Sequence, residues 1–77
     1  MNAKRRTSLL NLQSIIEDVK EKIEGLLEEE EEARDNIPES LQNSERYERT
    51  DAACDNLSNA IDALEEVSSY IEEAITQ

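Results

Sequence analysis

Leu9, Leu12, Ile16, Val19, Ile23 and Leu26 recur in alternating steps of three and four, a spacing that lines one face of an α-helix. With Leu9, Ile16 and Ile23 placed at position a of a heptad, Leu12, Val19 and Leu26 fall at d. The next steps land on Glu30, Ala33 and Ile37, so the stripe thins where the run Glu28 to Glu32 begins. Thr7 or Ser8 is a suitable N-cap. The spacing therefore predicts a helix over about residues 8–35, roughly 40 Å long at 1.5 Å per residue. Acidic residues near a helix C-terminus oppose the macrodipole, and fraying is expected along Glu28 to Glu32. Gly25 costs about 1 kcal/mol relative to Ala inside a helix, which marks a soft spot or a point of close approach.

Pro38 lacks a backbone N–H and disfavours helical geometry at Ile37, so a turn is expected over residues 36–44. Asn36 suits the end of the first helix. Ile37 and Leu41 are expected to plug the turn, with Asn43 or Ser44 capping the next helix. That second helix is expected over about residues 45–75. Its apolar face is broader: Leu57, Leu64 and Ile71 lie at a, Ala60, Val67 and Ala74 at d, and Ile61, Ser68 and Ile75 at e. An a/d stripe suits one partner helix, whereas a/d/e suits a helix with two neighbours.

The expected fold is all-α: a two-helix antiparallel hairpin, dimerising into a four-helix bundle. Leu57, Ile61, Leu64, Val67, Ile71 and Ile75 are the candidate self-association residues. Residues 1–6, with Lys4, Arg5 and Arg6, are expected to be a flexible basic tail, leaving residues 7–77 as one domain. A chain of 77 residues with no Phe or Trp must build its core from aliphatic side chains, and that core is small.

The chemistry available to such a chain is narrow. It has no histidine, which removes the commonest general base and metal ligand at neutral pH. It has one Gly, too few for a phosphate-cradling loop, and Asp51 to Asn56 lacks both the spacing and the central Gly of a calcium loop. The lone Cys54 lies beside Ala53 on the inner stripe and is expected to be a buried small hydrophobe. No catalytic residue, cofactor or metal ligand is assigned. Neither a signal peptide nor a membrane span is evident, so a cytoplasmic protein is expected.

Twenty acidic residues against eight basic give a formal net charge of −12. That charge disfavours direct nucleic-acid or anionic-membrane binding and favours a protein partner with a basic surface. The bias is sharpest from Thr50 onward, where Asp51, Asp55, Asp62, Glu65, Glu66, Glu72 and Glu73 occur without any Lys or Arg. A single-sign helix forgoes the i,i+4 pairs of mixed surfaces. These seven carboxylates are the candidate partner-binding face, able to imitate phosphates in a basic cleft, against the alternative of a face that only solubilises.

The segment Ala33 to Glu48, with its Asn36-Ile37-Pro38 and Leu41-Gln42-Asn43-Ser44-Glu45 core, precedes the repetitive Asp55-Asn56-Leu57, Ala60-Ile61-Asp62 and Ile71-Glu72-Glu73-Ala74. In this it resembles a group of short acidic proteins from phages and mobile elements of Gram-positive bacteria, over about the last two-thirds of the chain. The resemblance carries over no functional residue. It implies a context, the cytoplasm of a bacterial host, in which small acidic phage proteins are often inhibitors of defence nucleases, anti-CRISPR and anti-restriction proteins among them. A non-catalytic inhibitor occupying a basic, nucleic-acid-binding surface is accordingly the expected function. The alternatives are a self-assembling structural coiled-coil or bundle protein and an adaptor helix that orders only in a partner's groove.

Overall fold

A computed structural model describes residues 1–77. Helix α1 spans Ala3–Asp35, a 3-10 turn spans Glu39–Leu41, and helix α2 spans Glu45–Thr76. The helices lie antiparallel in a rod whose Cα extents are 59 × 15 × 12 Å. The all-α hairpin expected from the spacing is the fold.

The first helix starts earlier than the apolar stripe does. Asn2 is extended, and its side chain accepts a hydrogen bond from the Arg5 backbone N–H at 2.8 Å, which makes it the N-cap. Ala3, Lys4, Arg5 and Arg6 are strong helix formers, and with the Asn2 cap they carry the extra turn although its cations oppose the macrodipole. Residues 3–6 are thus helical and not a free tail. Thr7 and Ser8, the expected caps, instead donate to the carbonyls of Ala3 and Lys4 one turn back. Arg6 Nε donates to the Ile75 carbonyl at 3.0 Å, placing a cation at the negative end of α2.

The acidic run does not fray. Glu28 to Glu32 lie inside α1, and the helix is closed by Asn36, whose N–H donates to the Glu32 carbonyl at 3.0 Å. Arg34 in the last turn supplies the positive charge that the acids there lack. Ile37 then turns inward and is only 6 % exposed, while Leu41 N–H closes the 3-10 turn on the Pro38 carbonyl at 2.8 Å. Of the two expected plugs, Ile37 fills the turn and Leu41 does not, being 53 % exposed. The 3-10 turn carries Leu41 outward after Ile37 has filled the gap. Ser44 caps α2 by accepting from the Tyr47 N–H at 3.2 Å.

The seam between the helices is rotated from the expected one on the α1 side. In α1 the half-buried stripe is Leu9, Gln13, Ile16, Lys20, Ile23, Leu27, Glu30 and Arg34, positions a and e. Leu12, Val19 and Leu26, expected in the seam at d, are exposed. In α2 the inner stripe is Tyr47, Thr50, Cys54, Leu57, Ile61, Leu64, Ser68, Ile71 and Ile75 at a and e, with Ala53, Ala60 and Ala74 at d half-buried beside it, so the a/d/e face expected there is enclosed except at Val67. The bulk on α2 explains the rotation in part: its e edge carries Cys54, Ile61 and Ile75 against Ala53, Ala60 and Ala74 at d, and only the pair Val67 and Ser68 runs the other way. The larger side chains fill the space between two helices better.

Gly25 lies on the outer side of α1, and a Cβ there would meet nothing within 4 Å. It is a soft spot and not a point of close approach. Its φ is not positive, so Ala fits the backbone without strain. Gly25→Ala is expected to raise the stability of the chain by about 0.5–1 kcal/mol. Guanidinium unfolding followed by circular dichroism checks this, and a lower midpoint would contradict the open environment.

Candidate functional site

A residue in an α-helix is turned about 100° from the one before it, so in a seam made by a and e, position d points about 80° to one side and b about 80° to the other. Lys20 shows where the b stripes go. Its ammonium lies 3.8 Å from Glu17 and 4.0 Å from Glu24, both at b of α1, and 3.4 Å from Glu65, at b of α2. The b positions of both helices therefore converge on one broad face of the rod. The d positions share the opposite face.

The charges divide between these faces almost completely. Among the residues at b and f, which turn to the Lys20 side, α1 contributes Glu17, Glu21, Glu24, Glu28, Glu31 and Asp35. The same positions of α2 contribute Glu48, Asp51, Asp55, Asp62, Glu65 and Glu72, and neither helix has a Lys or Arg there. At d and g, on the other side, Glu29 is the sole acid; Arg5, Lys22, Arg46 and Arg49 lie there too, around the apolar residues Leu12, Ile15, Val19, Leu26, Val67 and Tyr70. The rod is acidic on one face; the other carries an apolar stripe with a few cations along it.

Five of the seven expected partner-binding acids, Asp51, Asp55, Asp62, Glu65 and Glu72, are on the acidic face. Glu66 and Glu73 fall at c and lie on the outer edge of α2. Three of the five also make bonds across the seam. Arg34 Nη1 donates to Asp51 at 2.9 Å, Lys20 to Glu65 at 3.4 Å, and Gln13 Nε2 to Glu72 at 3.1 Å and to the Ser68 carbonyl at 3.3 Å. Asp55 and Asp62 make no such bond and stay fully presented. The α1 half of the face went unread in the sequence. Its signal is the seven-residue recurrence of Glu17, Glu24 and Glu31, repeated by Glu21, Glu28 and Asp35.

The two seam cations are held in their charged forms. Burial lowers the Lys20 pKa, but Glu17, Glu65 and Glu24 together outweigh it and keep the ammonium above its ordinary value. Hydrogen bonds to Asp35 and Asp51 raise Arg34 further still. They are the only positive charges set between the two acidic stripes, and they offset part of the repulsion there.

The expected self-association residues are placed mostly elsewhere. Leu57, Ile61, Leu64, Ile71 and Ile75 are half-buried against α1 within the chain, and Val67 alone is exposed. The edge left open is position d of α1 together with Val67 of α2. The rod has no pocket and no group of three or more Asp, Glu or Cys residues arranged to hold a metal ion. No helix is long and apolar enough to cross a membrane. No family model matches the chain, and neither a curated protein nor a solved structure is similar to it.

Cys54 is 4 % exposed, packed in the seam near the turn. Burial pushes its thiol pKa up, with Arg34 pulling the other way and Glu31, Glu30 and Asp51 adding to the rise. A raised thiol pKa in the folded state means that its contribution to stability is present below the unfolded value, about 8.5, and is lost as pH climbs through the folded one. At pH 8 the native chain is expected to react with a thiol-specific chromogenic disulfide at least about tenfold more slowly than the chain in denaturant. Equal rates would place Cys54 outside the seam.

Proposed function

We propose that the protein is a non-catalytic binding module whose acidic face docks on a basic protein surface that otherwise holds nucleic acid. The observation that carries this reading is the collection of acids from both helices onto one continuous face, with Glu29 alone left on the other. A solubilising charge has no need of one side. A chain that had only to stay soluble would spread its carboxylates and intersperse cations, gaining helix pairs as it did so.

Charge density favours one type of surface over another. A net charge of −12 along 59 Å is about one charge per 5 Å. Duplex DNA carries one per about 1.7 Å, and a single strand one per about 3.4 Å. The hairpin is closer to a single strand, so a groove that tracks one strand is the better electrostatic match. Such grooves bind by charge along the backbone and tolerate many sequences. An inhibitor that fills one needs a suitable field and shape, and no reactive group.

The test uses immobilised protein and a bacterial lysate, with captured proteins identified by mass spectrometry and then purified for competition. Binding is expected to fall at least about tenfold between 50 and 200 mM salt and to be displaced by a single-stranded oligonucleotide. Replacing Asp55 and Asp62 together by Asn is expected to weaken it several-fold while leaving helix content unchanged. Partners retained at high salt, indifferent to the oligonucleotide and to both substitutions, would rule the reading out.

A further inference from the structure

The apolar face of the rod is where the fold is incomplete. Leu12, Ile15, Val19, Leu26, Val67 and Tyr70 are each between 41 and 64 % exposed, and all six turn to the same side. Neither helix covers them, since the two already face one another through their a and e positions. We propose that this face is covered by the same face of a second copy, giving a four-helix bundle with the acidic faces outermost.

Area sets the scale of what is missing. The chain exposes 5764 Å². A compact monomer of 8.8 kDa exposes roughly 4,800 Å². The excess is roughly 1,000 Å² per chain, and two such faces in contact would bury about 2,000 Å², the upper end of a standard stable interface. The broad side of the rod, 59 by 15 Å, is large enough to supply it.

Charge narrows the choice of occupant. Two copies of a chain with net charge −12 repel each other across any face that carries the acids. The apolar face presents only Glu29 among them, and its cations are Lys22 and, towards the ends of the rod, Arg5, Arg46 and Arg49, so it is the side on which like chains meet with the acids kept apart.

The residues also fit one another in one arrangement. In the hairpin, Leu12 is level with Ala74, Val19 with Val67, Leu26 with Ala60, and Ala33 with Ala53, as the bonds of Gln13 to Glu72 and Arg34 to Asp51 fix the register. A two-fold axis along the rod lays α1 of one copy over α2 of the other at the same levels. The large residues Leu12 and Leu26 then meet Ala74 and Ala60 of the second copy, large against small. Both turns lie at the same end. An axis across the rod would stack Leu12 on Leu26 and Ala60 on Ala74, which spaces the two layers unevenly.

Sedimentation equilibrium of the isolated chain at micromolar concentration is expected to give twice the 8.8 kDa mass. Val19→Glu is expected to weaken association at least about tenfold, whereas Asp62→Asn leaves it unchanged. A monomeric wild type, or a dimer indifferent to Val19→Glu, would overturn the proposal. Should Val19→Glu lose its helices, a spin label on Asn43→Cys reports on the assembly without touching the face. Two labels within about 30 Å support turns at the same end. A separation near the 59 Å rod length would overturn that arrangement.

Discussion

How far each helix is turned about its own axis decides nearly everything else in this rod. A seam made by a and d would have enclosed Leu12, Val19 and Leu26; the seam made by a and e encloses Gln13, Lys20, Leu27 and Arg34 in their place. Fully burying a Leu or Val contributes about 1.5–3 kcal/mol, while ion pairs open to solvent contribute little. On aliphatic burial alone, the hairpin therefore encloses the less stabilising set of α1 residues. Two features offset this. The larger residues of α2 are on its e edge, and the cations of α1 are brought between two stripes of carboxylates that would otherwise repel one another.

Electrostatics and packing are thus coupled through one angle. Turning α1 so that Leu12, Val19 and Leu26 point inward would carry Lys20 and Arg34 away from Glu65 and Asp51. The acidic face would then lack its internal counter-charges, and the apolar face would close. The observed setting keeps both faces distinct.

The sequence disclosed the elements and their joint well, because those are local matters. Pro38 and the Ser44 cap act within a few residues of themselves, and Ile37 and Cys54 are buried as their neighbours suggest. The start of α1 was misplaced because the apolar stripe begins at Leu9, whereas the cap is supplied by Asn2, a residue outside any stripe. The acidic run was expected to fray on dipole grounds, and Arg34 answers that within the same turn. The seam was harder to read. In α2 a three-residue-wide stripe offers two seams that periodicity ranks equally, and in α1 periodicity favours a and d; the a and e seam follows only from knowing which residue of the other helix stands opposite. Half of the acidic face was hidden for the same reason, since Glu17, Glu24 and Glu31 belong with Glu65 and Asp51 only once the helices are set side by side.

Arg6, bonded to the Ile75 carbonyl, holds residues near the two ends of the chain against each other. Both ends leave from one pole of the rod, and the Pro38 turn is the other, separated by most of the 59 Å length. Anything joined to either end is consequently held at that pole, and the turn, with Leu41 exposed at its tip, projects away as the end of an arm of fixed reach.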